Sequence, residues 1–189
     1  MKLEVVPYDS EWPVKFSRLR SRLESAIPFP GCSIQHIGST AVPGLAAKPI
    51  IDILIGVVKE SELDVLPKAL TGISEIHYVP YWENVMPFRR FFIWADASMV
   101  DPAIPSVIHD RSWNDIHHQA RLAHIHATTT THSFYKEHIA FRDLLINDDA
   151  IRQEYENLKL ELAAKEWESG ADYAGAKASF IRQALDRSK

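Results

Sequence analysis

Apolar positions along this chain fall into two rhythms. From Glu11 to Ile27 they recur at helical spacing, through Trp12, Phe16, Leu19 and Leu23; Asp9 or Ser10 is placed to cap the helix, and Pro28 and Pro30 end it. A short apolar run, Leu3 to Val6, precedes it and is stopped by Pro7. Two runs of strand character follow, Cys32 to Ile37 and Ile50 to Val58. Behind Ser61-Glu62-Leu63-Asp64, which fits a capping box, Leu63, Leu66 and Leu70 make an apolar stripe that predicts a helix from Ser61 to Leu70. Glu75 to Val79 and Arg89 to Ala95 read as paired strands, joined by a loop rich in Tyr81, Trp82, Met86 and Pro87 that could cover a ligand. The segment from Asp96 to Gln119 has little periodicity and reads as a long connection, of the kind that serves as a lid, a binding loop or a mobile stretch.

Leu122 to Thr128 predicts one more strand, whose alternation sends His124 and His126 to the same face. Helical spacing then takes over in three stretches. Phe134, Phe141, Leu144 and Leu145 define the first, and Ile151, Tyr155, Leu158 and Leu162 the second, behind a cap at Asp148 or Asp149. Tyr173, Ala176, Phe180, Ile181 and Ala184 define the third. Strands first and helices last predict an α+β fold with a C-terminal helical layer: a sheet-bearing core over residues 1–130 and helices over 131–189.

The 189 residues, 46% hydrophobic and 24% charged, suffice for one core and are few for two, so one domain spanning 1–189 is expected. A net charge of -4 gives no bulk attraction for nucleic acid, which makes it an unlikely partner. A single cysteine, Cys32, cannot close an internal disulfide, the first ten residues lack the apolar core of a secretion signal, and no apolar stretch nears the ~20 residues of a membrane span. The expectation is a soluble cytoplasmic protein with no membrane partner.

The candidate chemistry begins at His36 and runs to Asp52. Gly38-Ser39-Thr40 combines a glycine that permits a tight turn with two hydroxyls and free amides, the makings of an anion cradle. It is not a Walker A loop, since Gly38 and Gly44 enclose five residues and Lys48 lies four further on. Pro43 biases Val42 away from helix, so a short helix near Pro43 is expected instead. A purely structural turn fits the same residues. Asp52, inside an apolar strand, must be paired, hydrogen-bonded to nearby amides, or holding a metal. His124 and His126 project together and have metal-ligand character.

Arg89 and Arg90 alternate, so only one of them can serve a cleft. Arg142-Asp143 reads as a helix ion pair, and Lys159 and Lys177 as solvated unless the C-terminal helices fold over the cleft. A hydrolase built on Ser39, His36 and Asp52 has no Gly-x-Ser-x-Gly elbow and places its serine and histidine too close in sequence.

Taken together, these blocks resemble the GrpB family, small proteins similar in fold to minimal nucleotidyltransferases of the polymerase-beta type. The likeness rests on Val5-Val6-Pro7-Tyr8-Asp9 with Glu11-Trp12, and above all on His36 to Leu45 and Lys48 to Ile53. It continues through Arg89 to Phe92, His124-Ile125-His126, Phe141-Arg142-Asp143, Leu158-Lys159, and Tyr173 with Lys177 and Phe180. The resemblance implies a nucleotidyltransferase-like mixed sheet. It puts Gly38, Ser39 and Thr40 at the phosphates of a nucleotide or another phosphorylated small molecule, with Lys48, Arg90 and Arg142 neutralising them. Asp52 corresponds to the first carboxylate of a site for a divalent metal (Mg, Mn or Zn), and so to the catalytic residue for nucleotidyl transfer to a small acceptor.

One departure stands out: the family of transferases pairs two acids as Asp-x-Asp, and here the second position is Leu54. His124 and His126 lie where a further carboxylate is usual, and Asp52 with imidazoles makes a softer set than Mg²⁺ prefers. The long 96–119 segment also departs from a compact hairpin. A binding module without transfer chemistry and a metal-dependent phosphoester hydrolase are the alternatives.

Overall fold

The computed structural model describes residues 4–167 and 170–188. Five strands form one sheet: β1 (Ser33–Ile37), β2 (Ile51–Val57), β3 (Ile76–Tyr78), β4 (Arg90–Ala95) and β5 (Arg121–Thr129), in the order β1-β2-β5-β4-β3. The β2–β5 pair is parallel and the other three pairs are antiparallel. The sheet is therefore mixed, as expected for an α+β fold.

Strand alternation sorts the side chains onto two faces. Ile53 and Ile55 of β2, Phe92 and Trp94 of β4, and Ile125 of β5 share one face, all fully buried. Helix α1 (Trp12–Ala26) covers them through Trp12 and Leu23, and α2 (Leu66–Leu70) through Leu66 and Leu70. Each aliphatic side chain so buried contributes roughly 1.5–3 kcal/mol to holding the helices on the sheet.

The opposite face carries Asp52, Leu54 and Gly56 of β2, His124 and His126 of β5, and Phe91 and Ile93 of β4. Four helices gather on this side: α3 (Ser133–Asn147), α4 (Asp149–Ala163), α5 (Gly170–Gly175) and α6 (Ala178–Arg187). Gly56 lets α3 approach, because a Cβ there would overlap the Tyr135 ring, and Tyr135 Oη donates to Ser33 Oγ at 3.0 Å. Val42 and Leu45 pack with Phe141, Leu145, Tyr155 and Ala184, so the segment after β1 is clasped by the helical layer.

Several local expectations shift. Glu11, not Asp9 or Ser10, is the α1 N-cap: the Asp9 carboxylate accepts from Glu11 N at 2.9 Å, closing its turn before the helix begins. The helix expected from Ser61 to Leu70 divides into a 3₁₀ turn, Glu60–Asp64, and α2. Pro67 accounts for the break, since it offers no N–H to continue the preceding turn and is tolerated only in the first turn of a helix, where it stands in α2. Glu62 rather than Ser61 supplies the cap, accepting from Val58 N at 3.0 Å and Lys59 N at 2.9 Å. Asp148 caps α4 as its position suggested, accepting from Ile151 N at 3.0 Å. The short helix expected near Pro43 is a single 3₁₀ turn earlier, at Ser39–Ala41.

The 96–119 segment is a packed layer, not an open connection. It pairs with β3 through Tyr78 N to Ser106 O and Ile108 N to Tyr78 O, each 2.8 Å, which covers that strand's edge. Its Ile108, Trp113 and Ile116 are buried against Val79, Phe91 and Ile93. Arg121 locks it down, donating to Ile116 O at 2.8 Å and Trp113 O at 3.1 Å. Among the described residues no helix is long and apolar enough to cross a membrane.

Candidate functional site

Between the sheet and the C-terminal helices lies a cavity of about 610 Å³, within the range of small-ligand sites. Asp52, His124, His126 and Phe91 form its floor, with Ser39, Thr40 and Lys48 along one side. Trp82, Met86 and Trp113 stand along the other, and Lys159, Tyr173 and Lys177 close it from the helical layer. A second space of about 380 Å³ adjoins it and shares Ser39, Asp52, Arg89, His126 and Lys177.

Asp52 is the centre of this arrangement. Its register on β2 sets it beside His124, with Oδ1 at 3.6 Å from Nδ1. One third of its side chain is open, 34%, so the carboxylate can reach a ligand in the cavity. Behind it stands Gly38, at φ 70° and ψ -170°, where any Cβ would overlap Asp52 Oδ2. Burial by itself would raise this carboxyl, but His124, His126 and Lys48 outweigh it and hold the group at about 2. It is ionised throughout the neutral range.

The two histidines diverge in their partners. His126 Nδ1 lies 3.1 Å from the Arg89 guanidinium, which can only donate, so this ring nitrogen accepts and the imidazole is neutral. Burial, reinforced by Arg89, holds His126 well below its ordinary value, and burial lowers His124 as well. Arg89 itself is buried over Phe91 and Phe134, at 5.3 and 5.8 Å from the ring centroids, and burial pushes it down to about 10.

Of the side chains expected at an anion, Lys48 is in place, Ser39 and Thr40 line the cavity, and Arg90 is elsewhere. Thr40 Oγ1 is engaged with His36 Nε2 at 2.9 Å, and Ser39 borders the smaller space together with Tyr155. Arg90 belongs to the other face by alternation, where it pairs with Asp64 at 2.9 Å and Glu83 at 3.5 Å; Arg89 faces the cavity in its stead. Arg142 borders only the smaller space, and its nitrogens are committed to Asp143, Gln35 Oε1 and His36 O, which dock α3 onto β1. His36 stacks on Phe16 on the far side of the sheet, at 4.7 Å, so it cannot join Ser39 and Asp52 in a hydrolytic triad.

The C-terminal helices do fold over the cleft. Lys48 and Lys177 approach the same Tyr173 ring, at 5.3 and 4.3 Å from its centroid. Burial and the neighbouring Lys48 push Lys177 down to about 8. Lys159, 2% exposed, donates to Ala46 O and is pushed down to about 7, first by burial and then by Lys177. Trp82 and Met86, from the loop expected to cover a ligand, line the cavity. Arg121, His118 and Trp113 also line it without having been singled out; their signal in sequence was position, in the 96–119 connection and at the mouth of a strand.

A divalent metal is a poor fit to these residues. Among the described residues no three His, Cys, Asp or Glu side chains converge where they could share an ion. Asp52 and His124 meet, but His126 is turned to Arg89, and Lys48 and Lys177 place positive charge at the carboxylate. The expected set of Asp52, His124 and His126 is thus not assembled as a metal centre, because the third ligand's ring nitrogen is taken by a buried cation.

A model of the family described as GrpB protein matches residues 2–187. A UPF0157 protein of Halalkalibacterium halodurans is 28% identical over 98% of this chain and 82% of its own length. The crystal structure of a conserved protein GrpB from Enterococcus faecalis superposes with a TM-score of 0.69 at 28% identity, covering 97% of this chain and 98% of that one. A dephospho-CoA kinase of Mycolicibacterium paratuberculosis is 35% identical over 41% of this chain, a stretch that makes up 20% of the kinase.

Proposed function

The chain belongs to the GrpB protein family, and from that premise we propose that it binds a nucleotide or another phosphorylated small molecule in the cavity over its sheet. One contrast of charge carries the reading. The whole chain has a net charge of -4, yet among the described residues Lys48, Arg89, Arg121, Lys159 and Lys177 line this cavity against one carboxylate, that of Asp52. A concave, mostly apolar site concentrates such a field on an anion.

Within that set the roles differ. Arg121 and Lys159 already donate to backbone carbonyls, so they supply field more than bonds. Lys48 and Lys177 repel each other across one ring, and a phosphate between them would turn that repulsion into two charge-assisted hydrogen bonds. Asp52, ionised down to about 2, is a weak proton acceptor at neutral pH. It serves instead to accept from a ligand hydroxyl or amine beside the phosphate. Nucleotidyl transfer and phosphoester hydrolysis through a metal gain no support from this donor set, with a fully buried Leu54 where a second carboxylate would be needed.

Calorimetric titration with inorganic pyrophosphate in the presence of EDTA tests this. The wild-type chain is expected to bind, and Lys177→Ala and Lys48→Ala each to weaken binding by roughly tenfold or more, the value of a hydrogen bond to a charged group. Asp52→Asn removes the opposing charge on the cavity floor and is expected to keep or tighten binding. Binding that requires Mg²⁺ and vanishes in Asp52→Asn would replace the proposal with a metal-dependent one, as would release of a transferred nucleotidyl product.

A further inference from the structure

The cavity is not uniform across the sheet. Over β2 and under the helical layer it is bordered by Lys48 and Lys177, whereas over β4 it is bordered by Trp82, Met86, Phe91 and Trp113. The strand order puts β5 between β2 and β4, so the two ends lie about 10 Å apart at ~4.8 Å per strand. Trp82 and Trp113 meet at 5.8 Å with planes tilted 57°, and Phe91 lies 5.6 Å from His124. Four buried side-chain nitrogens in residues lining the cavity have no hydrogen-bond partner among the described residues: Arg89 Nε, Trp113 Nε1, His118 Nδ1 and His124 Nε2. Buried polar atoms are nearly always satisfied, so four orphans in the wall of one cavity, against one elsewhere at Trp94 Nε1, mark a place where a ligand's polar edge belongs.

We propose that Trp82, Phe91 and Trp113, with His118 and His124, form a subsite for a planar nitrogen heterocycle, so that the phosphorylated ligand is a nucleotide and its base lies over β4. The aromatic surfaces supply stacking, which every nucleobase accepts through its π-face. The indole N–H donates to a base carbonyl or ring nitrogen. Each imidazole presents a donor or an acceptor according to its tautomer. Asp52 stands on β2 at the lysine end, on the side facing β5, where it meets a hydroxyl of the group that joins base to phosphate. An aliphatic sugar phosphate would satisfy the lysines and present no flat face to Trp82, Phe91 and Trp113. The inference rests on the anion site proposed above.

The deciding experiment compares ADP, GDP, CDP and UDP with ribose 5-phosphate and inorganic pyrophosphate, by calorimetry on the full chain and on Trp82→Leu and Trp113→Leu. Because Trp113 is 7% exposed and helps to hold the 96–119 layer, Trp82→Leu is the variant that separates binding from folding. The tightest nucleoside diphosphate is expected to bind between about fivefold and a hundredfold tighter than ribose 5-phosphate, the range of one base stacked on an aromatic side chain. Trp82→Leu should erase most of that margin and leave ribose 5-phosphate binding unchanged. Equal binding of ribose 5-phosphate and all four diphosphates overturns the base subsite while leaving the anion site standing. So does a Trp82→Leu effect of equal size on both ligand classes. Binding of neither pyrophosphate nor any other probe overturns both.

Discussion

Gly38→Ala is expected to destabilise the folded chain by about 3 kcal/mol or more, while Gly44→Ala costs only about 1–2 kcal/mol. Both glycines have positive φ, 70° and 80°, so both replacements put an L-residue where its backbone is strained. They differ in what a Cβ meets. At Gly44 nothing among the described residues lies within 4 Å, whereas at Gly38 the added carbon overlaps Asp52 Oδ2 and crowds its Cβ at 3.0 Å and Cγ at 3.1 Å. Gly38 also has ψ -170°, a region essentially reserved for glycine. Asp52 cannot retreat easily, because its Cα is fixed in register with Ile37 on one side and His124 on the other. Urea denaturation of the two variants at pH 7 measures the difference. Adding Asp52→Gly to Gly38→Ala should recover the steric part and leave the backbone part. Equal losses at the two glycines would show that the turn does not press on the carboxylate.

Acidification is expected to unfold the chain in a window set by histidines before carboxylates contribute. Burial, reinforced by Arg142 against the opposing effect of Asp52, lowers His36 to about 4. Burial, with Arg121, Lys48 and His124, lowers His118 to about 3. An unfolded chain takes up these protons near pH 6.5, whereas the folded chain stays neutral at both positions until the lower values are reached. The stabilising contribution is therefore complete above pH 6.5 and is lost as pH falls toward 4. Each histidine gives a slope approaching about 1.4 kcal/mol per pH unit, so the two remove about 3–4 kcal/mol between pH 6 and pH 4.5. Asp52, at about 2, loses its contribution only lower, as pH falls from its ordinary 3.8. Chemical denaturation across this range should show the slope, and His118→Gln should reduce it by about one proton. A flat profile from pH 6.5 to 4.5, or an unchanged slope in that variant, would refute the assignment.

Most of the frame was legible from apolar spacing. The strands around Ile34, Ile53, Phe92 and Ile125 and the helices through Leu23, Phe141 and Leu162 lie where their periodicity put them, with ends displaced by a residue or two. Where the reading slipped, a local competitor decided. Pro67 divided one helix, and Asp9 spent its carboxylate on a turn instead of a cap. The 96–119 segment lacked periodicity because its burial comes from single anchors, Ile108, Trp113 and Ile116, held by carbonyl bonds from Arg121.

The site was legible in kind and only partly in membership. Asp52, His124 and His126 share a face because strand alternation is a property of the backbone, and the sequence alone was enough to say so. The rule that only one of Arg89 and Arg90 could enter a cleft was likewise available; which one did so depended on the register of β4 against β5. Sequence could not show that a buried guanidinium would take the His126 nitrogen a metal would need, nor that Lys159 and Lys177 would close over the sheet. Local pattern specifies faces, turns and strand ends, since these depend on residues a few positions apart. Charge complementarity in a cavity depends on groups brought together from β2, β5, the segment before β4 and the C-terminal helices, and only the packing of those elements determines whether Asp52 faces a metal or a ring of cations.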